Sequence, residues 1–287
     1  MMIKDSDSLM QFPTGKSHIS FSEVRIWKEC GWKHKLTYID KVAPFQTSVH
    51  LEYGTIIHNA LEHYLTTKEI DIDKVKRNIE KAWNSNLFDS KDYVEKQGLL
   101  AESQGWKYKH NYLNDWLSWA EQTMIDVPVF LNDNYPNWEC VSAEEALYEE
   151  ICTGMSFKGF IDGIIKYKKR NKEKYVILDW KTASPRGWRR DKKQDIKTTA
   201  QLVLYKHYWG SKNKIQSRDI SCHFILLKRG AKPGKVCQIV EVSAGPKSME
   251  KANKMVSNML SGVNRRFFLK NRNNCKFCPF EGTDYCK

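Results

Sequence analysis

The stretch from Gly159 to Thr182 constrains this chain more than any other. It reads GFIDGIIKY, then a charged run (KKRNKEK, 168–174), then YVILDWKT. Both flanks are rich in β-branched and aromatic residues, so they read as two strands joined by a turn. Each carries an acid inside an otherwise apolar run, Asp162 in the first and Asp179 in the second. An ionised carboxylate there is costly to bury unless it is paired or binds a cation. Hairpin pairing can bring Asp162 beside Asp179, where two carboxylates repel and a divalent cation relieves the repulsion. Mg²⁺ suits such a place, because it takes few protein carboxylates and keeps water and phosphate oxygens as its other partners. Lys181 follows Asp179 at i+2, on the same face of the strand. From there it can act on a water molecule or neutralise charge on a phosphate. A buried Asp179–Lys181 ion pair that only closes a hairpin would explain these two residues. It would not explain Asp162 on the preceding strand, and the three together favour a metal site.

Around this hairpin the pattern is mixed. Ser20–Tyr38 reads as a short helix with Ser20 or Ser22 as N-cap, and Gly54–Leu65 as a second helix with Ile57 and Leu61 along one stripe. From Asp71 to Ile125 the period stays helical, with Trp106, Leu113, Trp116 and Leu117 at spacings of three and four, suggesting a helical insertion that walls a groove. Strands are predicted at Glu145–Ile151, Ser156–Tyr167, Tyr175–Trp180, Ile220–Leu227 and Lys235–Val242, and helices at Thr198–Trp209 and Pro246–Leu260. The expected organisation is one domain over 1–287. Its parts are N-terminal helices (20–65), the insertion (67–138), a catalytic α/β core (139–245), and a last helix with a cysteine cluster (246–287).

The 287 residues carry a formal net charge of +13, which favours a polyanionic partner, since Lys and Arg release counterions from phosphates. No apolar run nears the roughly 18 residues that span a bilayer, and the polar N-terminus lacks a signal peptide's apolar stretch. A cytoplasmic location and no membrane partner are therefore expected. Thiols stay reduced there, so the eight cysteines need a reading other than disulfides. Cys140, Cys152, Cys222 and Cys237 fit small core residues. Cys275, Cys278 and Cys286 crowd the C-terminus as candidate ligands, and one more thiolate would complete a zinc or iron–sulfur site. The segment after Lys181 interleaves Arg186, Arg189, Arg190, Lys192 and Lys193 with Trp188. Basic groups can follow phosphates there while an exposed aromatic stacks on an unpaired base. Two other patterns are set aside. TGKS (14–17) lacks the first glycine of a phosphate loop and the preceding strand. His58 and His63 lie about 140° apart on a helix and cannot share a metal as protease histidines do.

The run from Asp162 to VILD179-W-K181 resembles motifs II and III of the PD-(D/E)XK nucleases. GTIIHNALE, with Gly54, His58 and Glu62, resembles the G-x-x-x-H-x-x-x-E helix of their RecB-like branch, and Gln201-x-x-x-Tyr205 its Q-x-x-x-Y motif. The resemblance implies a restriction-endonuclease-like core, a mixed sheet flanked by helices, with a helical insertion. It implies that Asp162 and Asp179 ligate Mg²⁺ or Mn²⁺, helped by the Trp180 carbonyl, and that Lys181 is the catalytic lysine. His58 would complete the metal shell or contact the scissile phosphate, and Glu145 would fill the acidic position on the first strand. Gln201 and Tyr205 would bind nucleic acid near the site. AddB-like and CRISPR-associated exonucleases of this branch hold a [4Fe–4S] cluster on one N-terminal and three C-terminal cysteines. Cys30 matches the first, so Cys30, Cys275, Cys278 and Cys286 would hold the cluster, with zinc as the alternative.

The expected function is a metal-dependent DNA nuclease, an exonuclease on single strands or ends in recombination, repair or replication. No motor motif is present, so a helicase or recombination protein would be a separate partner. The rivals are a non-catalytic DNA-binding subunit and a zinc-stapled RNA-processing nuclease. The first has no use for the costly Asp162, Asp179 and Lys181 set.

Overall fold

In the computed structural model, residues 12–42, 49–85, 113–276 and 278–287 are described. One six-stranded mixed sheet organises them. A short strand β1 (His18–Ser20) leads into helices α1 (Phe21–Glu29) and α2 (Gly31–His34) and a π-helical turn (Lys35–Ile39). Helices α3 (Val49–Thr67), α4 (Ile72–Trp83) and α5 (Leu113–Asn134) follow. Then come strands β2 (Glu139–Cys152), β3 (Met155–Lys169) and β4 (Lys172–Ala183) and helices α6 (Arg190–Gln194) and α7 (Ile196–Lys212). Strands β5 (Ile220–Lys228) and β6 (Cys237–Glu241) and helix α8 (Pro246–Asn264) complete the fold. No helix among the described residues is long and apolar enough to cross a membrane.

The strands run further than their apolar runs suggest. β3 and β4 pair out to Lys169↔Lys172, because Arg170 and Asn171 both take positive φ (52° and 59°). That is the two-residue turn whose twist matches an antiparallel hairpin, so most of the charged run 168–174 belongs to strands. The single helix expected over Ser20–Tyr38 breaks at Cys30, whose backbone is extended. Ser20 is the cap of its first part, accepting from the Glu23 N–H at 3.2 Å. The Glu23 side chain turns instead to His34, at 3.0 Å, and both are buried.

Each face of the sheet has its own core. On one face Ile19, Phe157, Ile161, Ile164, Ile177 and Phe224 meet α7 and α8. On the other, Ile165, Val176, Leu178, Trp180 and Ile225 meet α3, α4 and α5. The predicted insertion therefore forms a layer of the fold as well as any wall: Trp116, Ala120, Met124, Val127 and Leu131 of α5 are buried in that second core. Burying a large apolar side chain contributes roughly 1.5–3 kcal/mol, so these helices hold the sheet in place. The middle of the predicted insertion, with Trp106, lies outside the described residues. Of the four cysteines read as core, Cys222 is buried, Cys140 and Cys237 are half-buried, and Cys152 is exposed at the β2–β3 turn.

Candidate active site

The β3–β4 ladder begins at the turn and stops at Gly163↔Leu178. One step further the strands separate, with Asp162 on one and Asp179 on the other. Beyond that point β4 stays paired with β5 from Asp179↔Phe224 to Ala183↔Lys228, whereas the start of β3 takes β1 as its neighbour. The sheet forks there. Ile161 and Ile164, three residues apart, both face the α7–α8 core, so the strict alternation of β3 slips at Asp162. Its Oδ2 accepts the Trp180 backbone N–H at 2.8 Å, taking over a donor that the parted ladder leaves.

Asp179 is fully buried. The Lys181 ammonium lies against its Oδ2, yet neither carboxylate oxygen receives a well-directed hydrogen bond among the described residues. Burial pushes the Asp179 carboxyl up to about 6 against the pull of Lys181, and the Asp162 charge adds to the rise. Burial would lower Lys181, but Asp179 and Asp162 hold its proton more tightly than usual. His58 of α3 sets Nδ1 3.4 Å from Asp162 Oδ2. Burial works against the imidazolium, and Asp162 outweighs it, so the ring's pKa is raised. Burial would likewise raise Asp162, but His58, Lys181 and the Trp180 N–H hold it below its ordinary value. Asp162, Asp179, Lys181 and His58 thus lie together at the fork.

Glu145 does not join them. It pairs with Ile161, on the α7–α8 face, where it accepts from Ser142 Oγ at 2.8 Å and meets Lys212 at 3.2 Å. Its neighbour Glu144 takes φ 52° and lies across from Asp162, between the pairs Ala143↔Gly163 and Glu145↔Ile161. Glu62 of α3 is close by: burial first, then Glu144 and Asp162, raise its pKa. The acid on the first strand nearest the fork is therefore Glu144, one residue from the position expected. The left-handed kink decides this, and apolar alternation does not reveal it.

Gln201 and Tyr205 stand on α7 beneath the fork. Gln201 Nε2 donates to Tyr205 Oη at 3.2 Å, and burial pushes the phenol up to about 12, with Asp179 and Asp162 adding to the rise. A Cβ on Gly159 would lie 2.6 Å from Tyr205 Cε1, so glycine is what lets this ring reach the sheet. In the basic segment, Arg186, Arg189, Arg190 and Lys192 are exposed and Lys193 is half-buried. Trp188 is not the free stacking platform expected of it: its ring packs on Phe224 at 5.2 Å, and Lys192 Nζ covers it at 4.4 Å. Arg25 of α1 was not expected here. Burial, then Arg25 and Lys181, depress the pKa of Lys192, so three cations gather beside the fork.

A family model of the PD-(D/E)XK nuclease superfamily matches residues 18–286. The chain belongs to that superfamily. Its members generally use Mg²⁺ or Mn²⁺. A crystal structure of a provisionally assigned exonuclease from Eubacterium rectale has the same fold, with TM-score 0.52 at 13% identity over 97% of this chain and 92% of that one. No match is found among curated proteins.

Among the described residues no three His, Cys, Asp or Glu side chains converge tightly enough to enclose a metal as they stand. The donors at the fork nonetheless fit a divalent cation of the kind the superfamily uses. Asp179 offers two buried oxygens without directed partners, and Asp162 and His58 lie at its side. Just past α1, Cys30 joins Cys275, Cys278 and Cys286 in lining one cavity of about 240 Å³ together with Trp32, Leu36 and Phe280. Cys30 Sγ accepts the backbone N–H groups of Lys33 at 3.5 Å and Asn271 at 3.4 Å. Asn271 and Asn274 side chains both donate to the Glu29 carbonyl, at 2.9 and 2.7 Å. The two ends of the chain are thus stitched together around these thiols.

Proposed function

We propose that this protein is a Mg²⁺- or Mn²⁺-dependent nuclease that hydrolyses phosphodiester bonds in DNA, acting as an exonuclease on single strands or duplex ends. The observation that carries this reading is the fork, where two carboxylates and a lysine meet at the point where β3 and β4 part. A structural role alone gives no reason to bury Asp179 with Lys181 against one oxygen and no directed hydrogen bond on either, since burying a charge without such bonds is costly. Asp162 and Asp179 would hold the cation. When bound, it supplies positive charge to the phosphate oxygens and lowers the pKa of nearby water. Lys181 stands where its ammonium can offset charge gathering on the phosphate and hold the attacking water. His58 steadies Asp162 from the α3 side. In the net reaction the oxygen of one water bonds to phosphorus as a P–O ester bond breaks. One water proton goes to solvent, and the leaving oxygen ends as a hydroxyl.

The cofactor half of the proposal is a [4Fe–4S] cluster on Cys30, Cys275, Cys278 and Cys286. The four thiols share one cavity of about 240 Å³, room for more than a single ion. Backbone N–H groups aimed at Cys30 Sγ are the kind of donor that stabilises a cluster's sulfurs. Protein purified without oxygen should be brown and contain iron and sulfide; zinc alone would replace the cluster with a zinc staple.

The test of function is incubation with end-labelled single- and double-stranded DNA, with and without Mg²⁺ or Mn²⁺. Metal-dependent shortening from the ends is expected. Intact DNA with either ion would overturn the reading.

A further inference from the structure

The α3 side of the sheet is covered only in part. Helix α3 lies over the fork and its turnward side, where His58 meets Asp162 and Leu65 lies against Gly163. It leaves the first half of β3 bare. There Lys158, Phe160 and Asp162 alternate with Phe157, Gly159 and Ile161, whose face is taken by the other core, so the first three share the open face. The register extends this row sideways. Tyr148 of β2 pairs with Lys158, and Ala146 with Phe160. His18 of β1 joins at the far end, its ring 5.9 Å from that of Tyr148.

Two aromatic side chains are left exposed on this face, Phe160 at 47% and Tyr148 at 54%. Cations accompany them. Lys158 Nζ lies 5.6 Å from the centre of the Phe160 ring. Lys158 and Lys16 are also near enough to His18 to add to the lowering of its pKa that burial begins. Glu144 and Glu150 are exposed on β2 on the same face, so the polyanion's path is confined to the Phe160–Lys158–Tyr148 line. Phe160 stands two residues from Asp162, about 7 Å along the strand, a nucleotide or two from the point of cleavage.

We propose that Phe160 and Tyr148 form a stacking track for unpaired bases, with Lys158 on the intervening phosphates, that leads a single strand of nucleic acid into the fork. This rests on the nuclease reading of that fork and narrows its substrate to unpaired strands led in over named side chains. Exposed aromatics flanked by lysines bind single strands because every base has a π-face, whatever its identity. In a duplex those faces are already stacked on one another, so the track selects unpaired ends.

The test is fluorescence anisotropy of a labelled single-stranded oligonucleotide in EDTA, so that no cleavage occurs, beside a blunt duplex and an abasic single strand of the same length. Phe160→Ala and Tyr148→Ala should each weaken single-strand binding by roughly tenfold and leave duplex binding within about twofold, and Phe160→Trp should bind single strands as wild type does. Wild-type protein should bind the abasic strand more weakly than the intact one, and the double variant should not distinguish the two. That comparison needs no substitution in the wild-type protein, so a misfolded variant does not spare the proposal. If wild-type protein treats abasic and intact strands alike, the track is refuted while the nuclease reading stands. Absence of binding to any strand or duplex would remove both. If the substitutions instead turn a dimer into a monomer without changing strand affinity, this face is an interface between copies and the track is refuted.

Discussion

Gly159→Ala probes how the sheet and α7 are brought together at the fork. Gly159 lacks the left-handed φ that would demand glycine, so alanine suits the backbone, and its lower unfolded-state entropy favours folding by about 0.4–1 kcal/mol. Against this, the new methyl carbon would sit 2.6 Å from Tyr205 Cε1 and 3.3 Å from Phe157 Cε1. Tyr205 is buried and tied to Gln201, so its ring cannot swing into solvent. Forcing a methyl into such packing costs about 1–3 kcal/mol, which wins over the entropy gain. The net cost is about 1–2 kcal/mol, and with about 2–4 °C per kcal/mol for a chain of this order of size the variant should melt roughly 2–8 °C below wild type. Circular dichroism in metal-free buffer gives the midpoint. Gly54→Ala is the control of opposite sign. It is inside α3 with Thr182 Oγ1 the one neighbour among the described residues, at 4.0 Å, and should gain up to about 1 kcal/mol of helix propensity. A Gly159→Ala protein that melts at or above wild type would refute the packing argument.

Lys181→Met should cut turnover by more than a hundredfold while DNA affinity in EDTA changes little; normal turnover at saturating Mg²⁺ would show that the lysine is no part of the chemistry. Neutralising Arg189, Arg190, Lys192 and Lys193 together should lower the slope of log affinity against log salt on single strands, by about 0.7 for each phosphate these side chains neutralise. An unchanged slope would make the segment a solvated surface. Cys30→Ser should bleach protein purified without oxygen and lower its melting temperature, because the site ties together segments far apart in the chain. Cys222→Ser should leave the colour unchanged, since that thiol is buried in the other core.

The residues at the fork were legible because their chemistry is local: an acid in each of two apolar strands, and a lysine two residues on. The fork itself was not. It depends on β4 leaving β3 after Leu178 to stay with β5, a strand some forty residues further along the sequence. Glu144 rather than Glu145 lies across from Asp162, at one left-handed residue, which no alternation of apolar residues encodes. Trp188 reads as exposed among five basic neighbours until the chain brings Phe224 beneath it. Strand β1 is three residues long, too short for a period to declare itself. Nothing in the apolar run around Phe160 marks it as exposed; the reach of α3 across the sheet leaves it bare.

In the proposed mechanism Asp162 and Asp179 serve a cation, beyond the bond Asp162 makes to the Trp180 N–H. The most direct test is cleavage of end-labelled single-stranded DNA in Mg²⁺ by purified Asp162→Ala and Asp179→Ala, with affinity measured in parallel in EDTA. Cleavage should fall to background in both while each still binds DNA within a few-fold of wild type. Full cleavage by either variant would contradict the central claim.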